Sequence, residues 1–371
     1  MSPSHSLVRT SFLLAAAAAL TPAFAANVTW DTSTAAGFQS GNGTWGTDNF
    51  WTLDGAALSQ WASGDTATFL GQATAITETI TIGSSQTIGG LSFGSTTTSG
   101  NWTLSGTGTL SLAGNATFAV ASGSAAVLTA PLTLSTNVLT KTGAGTLRLN
   151  TPTLANPNIL VSAGVLELQK ASTAFSGGAI LVSTGAELAL RSTDTWGAAG
   201  TTTAAIITLE GGTLSSNGFF NSLNNLTLNG GTLKANGGVN ASSGSFQLGG
   251  TVTVNRNASI VQTGSNANIN LASTVINVNA GATLTSNAIL QGTSTLTKGG
   301  VGELVLTGAS TYSGGTTLNT GGLIIGNNAA VMLLVPYLHV GANRDVLGAA
   351  LALGTGAGRR ADLTLSTSQA H

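Results

Sequence analysis

Along much of this chain apolar and polar residues alternate in short runs punctuated by glycine. Leu147-Arg148-Leu149 and Val165-Leu166-Glu167-Leu168 are typical. Alternate side chains of a strand point to opposite faces, so the pattern predicts strands with the leucines inward and Arg148 and Glu167 outward. Gly143 and Gly145 precede the first run and Gly164 the second, where a sharp corner asks for a backbone conformation other residues resist. Pro152 and Pro157 fall between the runs, where no ladder donor is needed. No stretch repeats apolar residues at helical spacing. The expectation is an all-β chain.

The runs belong to a larger unit. Leu139 to Lys170 recurs without a gap 157 positions later, from Leu296 onward. Leu139, Thr140, Lys141, Gly143, Gly145, Leu147, Leu149, Gly164 and Leu166 meet identical residues at Leu296, Thr297, Lys298, Gly300, Gly302, Leu304, Leu306, Gly321 and Leu323. A strand–corner–strand unit this small cannot bury its apolar face alone and must stack on neighbouring copies, which is the logic of a solenoid. The most economical product is a parallel β-helix, each coil paired with the coils above and below. Gly106, Gly108, Leu110 and Leu112 carry the same G-x-G-x-L-x-L pattern. Leu209 to Leu214 is echoed by Leu228 to Leu233, 19 positions on, close to the roughly 20 residues of a short solenoid repeat. Asn residues thicken in this part (Asn224, Asn225, Asn229, Asn236, Asn255, Asn257, Asn270, Asn277, Asn279), and stacked Asn suits both left-handed corners and amide ladders. Lys141 and Lys298 recur at one repeat position, which speaks for a structural or solubilising role.

The pattern divides the chain into four parts. Residues 1–25 read as an export signal: Arg9, the apolar Phe12 to Leu20, then Ala23-Phe24-Ala25 as a small-x-small cleavage site. No later stretch is long and apolar enough to cross a bilayer as a helix, so no membrane span is expected after cleavage. Residues 26–78 hold Trp30, Trp45, Trp51 and Trp61 with Asp31, Asp48, Asp54 and Asp65, four of the six Trp and four of the seven Asp. The open edge of a solenoid's first coil invites pairing with other chains, so a Trp/Asp-rich N-terminal cap is the preferred reading. The second reading is a carbohydrate-binding face, because Trp30, Trp45, Trp51 and Trp61 offer rings that stack on sugars. Residues 79–328 form the repeat region. Residues 329–371 change character, with His339, His371 and Arg359-Arg360, and fit a loosely ordered terminus, a degenerate coil or an altered end.

Charge and composition narrow the chemistry. Only 6% of residues are charged and the net charge is −1, so no nucleic-acid partner is expected. There is no cysteine, hence no disulfide or thiolate chemistry. A hydrophobic share of 42% is enough for a core. Polysaccharide lyases and hydrolases built on β-helices need clustered carboxylates or a basic residue. Here Glu78, Glu167, Glu187, Glu210 and Glu303 stand apart, and no Asp lies between Asp65 and Asp194. Stacking would bring Glu167 and Glu187 near each other, although outward-facing solubilising charge is the simpler expectation. Beyond the export signal the only histidines are His339 and His371. No nucleophile motif, phosphate loop or metal cluster is present, so no catalytic residue, cofactor or metal is expected.

The segment Leu296 to Asn328, LTKGGVGELVLTGASTYSGGTTLNTGGLIIGNN, resembles the autotransporter-associated β-strand repeat of bacterial exported proteins. Leu139 to Lys170 is a weaker copy that departs at Ala155-Asn156-Pro157-Asn158. The resemblance implies a right-handed β-helical, passenger-type scaffold that is secreted, at the cell surface or associated with the outer membrane, with an adhesin-like role and a cell-surface or extracellular polysaccharide or protein as partner. The family motif is structural and brings no catalytic residues. No translocator barrel is recognisable here, so secretion through a pore of its own is not implied.

Overall fold

A computed structural model describes residues 25–326 apart from 72–75, 96, 153, 155–156, 170–174, 176 and 197–205, together with the backbone of four short strands between 332 and 352. The export signal up to residue 24 and most of the tail, including Arg359, Arg360 and His371, lie outside the described residues.

No helix occurs among the described residues; the chain folds into stacked, parallel strands. The strand Thr146–Leu149 lies between Ala125–Leu128 and Val165–Leu168, with Leu147 beside Leu166. The series continues from Leu166 to Leu188, Leu214, Leu233 and Ile260 on successive rungs. Seven such steps through one 13-stranded sheet carry Thr146–Leu149 to Glu303–Leu306. The 157-residue internal repeat is therefore a spacing of seven rungs. The echo of Leu209–Leu214 in Leu228–Leu233 is a single rung, since Leu209 pairs with Leu228 and Leu214 with Leu233.

The second sheet has 18 strands and is bent into two faces. Leu110–Val120 receives two separate strands, Leu132–Thr133 and Val138–Thr142. Ile269–Val278 likewise receives Leu290–Gln291 and Leu296–Gly299. Where one long strand spans both faces, its register slips at the bend, between Leu223 and Asn225 and between Gly249 and Thr251. A bulge of this kind bends the strand that carries it. With the 13-stranded sheet as the third face, the solenoid is three-sided.

The interior follows the alternation. Leu147, Leu149, Leu304 and Leu306 are buried, and one continuous apolar cluster runs from Val28 to Ile325. Each fully buried leucine contributes about 1.5–3 kcal/mol. Corners match between the two repeat copies: Gly143 and Gly300 both adopt φ of 73°. A Cβ on Gly145 would stand 2.2 Å from the Ala121 carbonyl oxygen, and one on Gly302 2.3 Å from that of Asn279. Glycine is required there by close approach of the neighbouring rung. The left-handed Asn positions are not the ones the composition suggests: Asn217 and Asn266 have positive φ, whereas none of the nine thickened Asn residues does. Three of the nine form a ladder instead. Asn279 Nδ2 donates to Asn255 Oδ1 at 2.5 Å, Asn255 Nδ2 to Asn229 Oδ1 at 2.7 Å, and Asn229 to Glu210.

The parallel rule is broken at both ends of the stack. Asn27–Trp30 pairs in parallel with Thr66–Phe69 but antiparallel with Trp51–Thr52. At the far end Met332–Val335 continues the 18-stranded sheet in parallel, and Ala349–Ala352 folds back on it antiparallel.

Candidate functional site

The four front tryptophans converge, but on one another. Trp30, Trp45 and Trp51 are 1%, 0% and 0% exposed, and Trp61 is half-buried. Ring centroids lie 5.1 Å apart for Trp30 and Trp51, 4.8 Å for Trp45 and Trp51, and 4.7 Å for Trp45 and Trp61. The stack passes into the rungs through Phe69, which lies parallel to Phe93 at 5.0 Å. Faces of Trp30, Trp45 and Trp51 are thus spent on the plug and are closed to a sugar ring. Trp61 alone keeps an accessible edge; its Nε1 donates to the Thr87 carbonyl at 3.2 Å, and it lines a small cavity of about 120 Å³ with Asp48, Asn49, Gln60 and Gln86.

The four Asp residues of this region tie down backbone. Asp31 Oδ1 accepts from the N–H groups of Ser33 and Gln39, Asp48 from Thr44, Asp54 from Ala56, and Asp65 from Ala26. The N–H of Ala56, helped by that of Ala57, holds the Asp54 carboxyl below its ordinary range. Carboxylates bonded to turn N–H groups fix loops. Glu78 is buried and accepts from Trp102 Nε1 at 3.1 Å, and burial raises its pKa.

Glu167 and Glu187 do not face each other. Glu187 stands beside Val165 and Glu167 beside Ala189. Glu167 points outward as the alternation requires, but it is not a bare solubilising charge: Arg148 on the preceding rung binds it at 2.5 Å and Arg191 lies 3.5 Å away.

Lys141 and Lys298 are the unexpected pair. A solubilising role is excluded, because both are 0% exposed. Lys141 Nζ donates to the carbonyls of Thr142, Gly143 and Ala163 at 2.8, 2.8 and 3.1 Å. Lys298 Nζ repeats this with Gly299, Gly300 and Thr320 at 2.8, 2.7 and 3.1 Å. Three acceptors match the three protons of an ammonium. Burial acts the other way and pushes both side chains down to about 8. The signal was present in the sequence: Lys141 shares the parity of Leu139, and that parity faces inward.

An open cavity on the side of the stack was not foreseen. It is a cleft of about 540 Å³ whose polar lining is Ser242, Gln247, Asn270, Gln291, Thr293 and Ser294. Gln247, Asn270 and Gln291 occupy one register position on three successive rungs. The turn at 241–243 overhangs this row.

No family model matches the chain, and no curated protein or solved structure does either.

Proposed function

We propose that this chain is an exported, non-enzymatic scaffold, a bacterial β-solenoid of the autotransporter-associated repeat type, working outside the cell or at its surface. The observation that carries the reading is what the recurring residues do. Leu147 and Leu304 fill the core, Gly145 and Gly302 admit the next rung, and Lys141 and Lys298 staple the corners. Every position that the chain repeats is used for building, which is what a spacer or display rod requires. Of the acidic residues that a polysaccharide-cleaving β-helix would need, Asp31 and Asp54 are engaged in turns and Glu167 in ion pairs.

The test is expression of the full chain in a Gram-negative host. Processing after Ala25, accumulation outside the cytoplasm, and no release of reducing ends or unsaturated products from polysaccharides would support the proposal. Retention of an unprocessed chain in the cytoplasm would overturn the exported part, and turnover of any glycan the non-enzymatic part.

A further inference from the structure

We infer that the cleft beside Gln247 is a binding site for an uncharged, polyhydroxylated chain, a neutral oligosaccharide. The site is built by an insertion. Five residues separate Thr213–Ser215 from Asn221–Asn229, but nine separate Thr232–Asn236 from Phe246–Arg256. The additional residues form the turn that makes one wall. Solenoids place such insertions on one face, often the face that binds.

The wall is held rigidly. Gln291 Nε2 donates to the carbonyls of Ala241 and Ser242 at 2.9 and 3.0 Å and to Asn270 Oδ1 at 2.7 Å. Asn270 Nδ2 donates to the carbonyls of Ser242 and Ser243 at 3.1 and 3.0 Å. One rung earlier in the row stands Gln247, whose amide carries no hydrogen bond among the described residues and lines the cleft. The hydroxyls of Thr293 and Ser294, which also line the cleft, are equally unengaged among the described residues. A fixed frame with free amide and hydroxyl groups at its rim is a receptor for hydroxyls.

The chemistry excludes other ligand classes. No ionisable residue lines the cleft, so a phosphate or an acidic glycan would enter without a counter-charge. A peptide adding as a strand needs a free sheet edge; Gln247 and Asn270 lie on rungs paired on both sides, and the outer carbonyls of Leu290 and Gly292 already accept from the N–H groups of Thr311 and Ser313. The volume lies within the range of small-molecule sites. No aromatic ring lines the cleft. Hydrogen bonds at about 1 kcal/mol each then give affinities on the order of 1 mM.

The experiment is titration of the intact protein with neutral hexasaccharides of glucose (β1,4, β1,3 and α1,4) and of β1,4-linked mannose, read by calorimetry and by ligand NMR line broadening. At least one is expected to bind at millimolar concentration, and Gln247→Ala and Thr293→Val should each weaken it by about fivefold. Both are rim substitutions that leave the core untouched. Trp61→Phe should leave binding unchanged. The inference is overturned if none of the four binds, if oligogalacturonate binds more tightly, or if Trp61→Phe abolishes binding while Gln247→Ala does not.

Discussion

The ammonium of Lys298 stands 3.1 Å from the carbonyl oxygen of Thr320, 22 residues along the chain and one rung further up the stack. Lys141 and Ala163 repeat the contact at the same distance. Each lysine joins a corner to the corner above it from inside the solenoid. Replacement by methionine keeps the stem and strands three carbonyls. Lys298→Met should cost about 1–3 kcal/mol, as an unmatched buried polar group does, measured by urea unfolding. Lys141→Met should cost a similar amount. Seven rungs at about 4.8 Å put the two sites about 34 Å apart, so the losses should add. A substitution without effect would show that the corners hold unaided.

These lysines also set a pH dependence. In the unfolded chain they titrate near 10.5 and in the fold near 8. Between those values the unfolded state binds more protons, so stability rises with pH. Below about 8 both states are protonated and the cost of the buried charge is present in full; above 10.5 it is gone. The advantage of the wild type over the Lys141→Met/Lys298→Met variant should widen from about pH 8 to about pH 10. Comparison with the double variant cancels Tyr312, whose hydroxyl is pushed up by burial. A constant advantage would mean that the carbonyls retain the proton as well as water does.

Two glycines separate close approach from backbone strain. Gly145 and Gly114 both have ordinary φ. A Cβ on Gly145 would meet two carbonyl oxygens, at 2.2 and 2.6 Å, and one on Gly114 would meet nothing within 4 Å. Gly145→Ala should lose at least about 2 kcal/mol or fail to fold. Gly114→Ala should gain about 0.4–1 kcal/mol through the unfolded chain. Thermal melts of the two proteins decide.

Among the tryptophans only Trp61 has an accessible edge; Trp30, Trp45, Trp51, Trp102 and Trp196 are at most 1% exposed. Emission should be largely resistant to iodide, and Trp61→Phe should remove most of the quenchable part. Trp51→Ala, by contrast, opens the plug and should cost about 3–5 kcal/mol. Strong quenching of the Trp61→Phe protein would return the front cluster to the surface and revive its sugar-stacking reading.

The rungs were legible because two signals agreed at Leu147 and Leu304: alternation gave the face, and the flanking glycines gave the corners. The number of rungs was hidden. Along the 13-stranded sheet from Ile76–Ile82 onward, coils take between 19 and 27 residues, and the excess leaves as loops that have no fixed period. For Lys141 the structural half of the reading held and the solubilising half did not, because residue type had been weighed above strand parity. The Trp cluster was placed correctly as a cap, since bulk at a terminus has few other uses. The Gln247 cleft was out of reach, because residues 241 and 294 become neighbours only when three coils are laid in register. Glu167 was read correctly for direction, while its partners depended on which rung lay beside it.

The unequal coils have a mechanical corollary. A turn of 19 residues and a turn of 27 each climb by the same single strand spacing. Height is therefore counted in storeys and is indifferent to how much chain each storey holds. Cargo grafted into the overhang at 237–245 would protrude sideways and leave the separation of everything above and below it as it was.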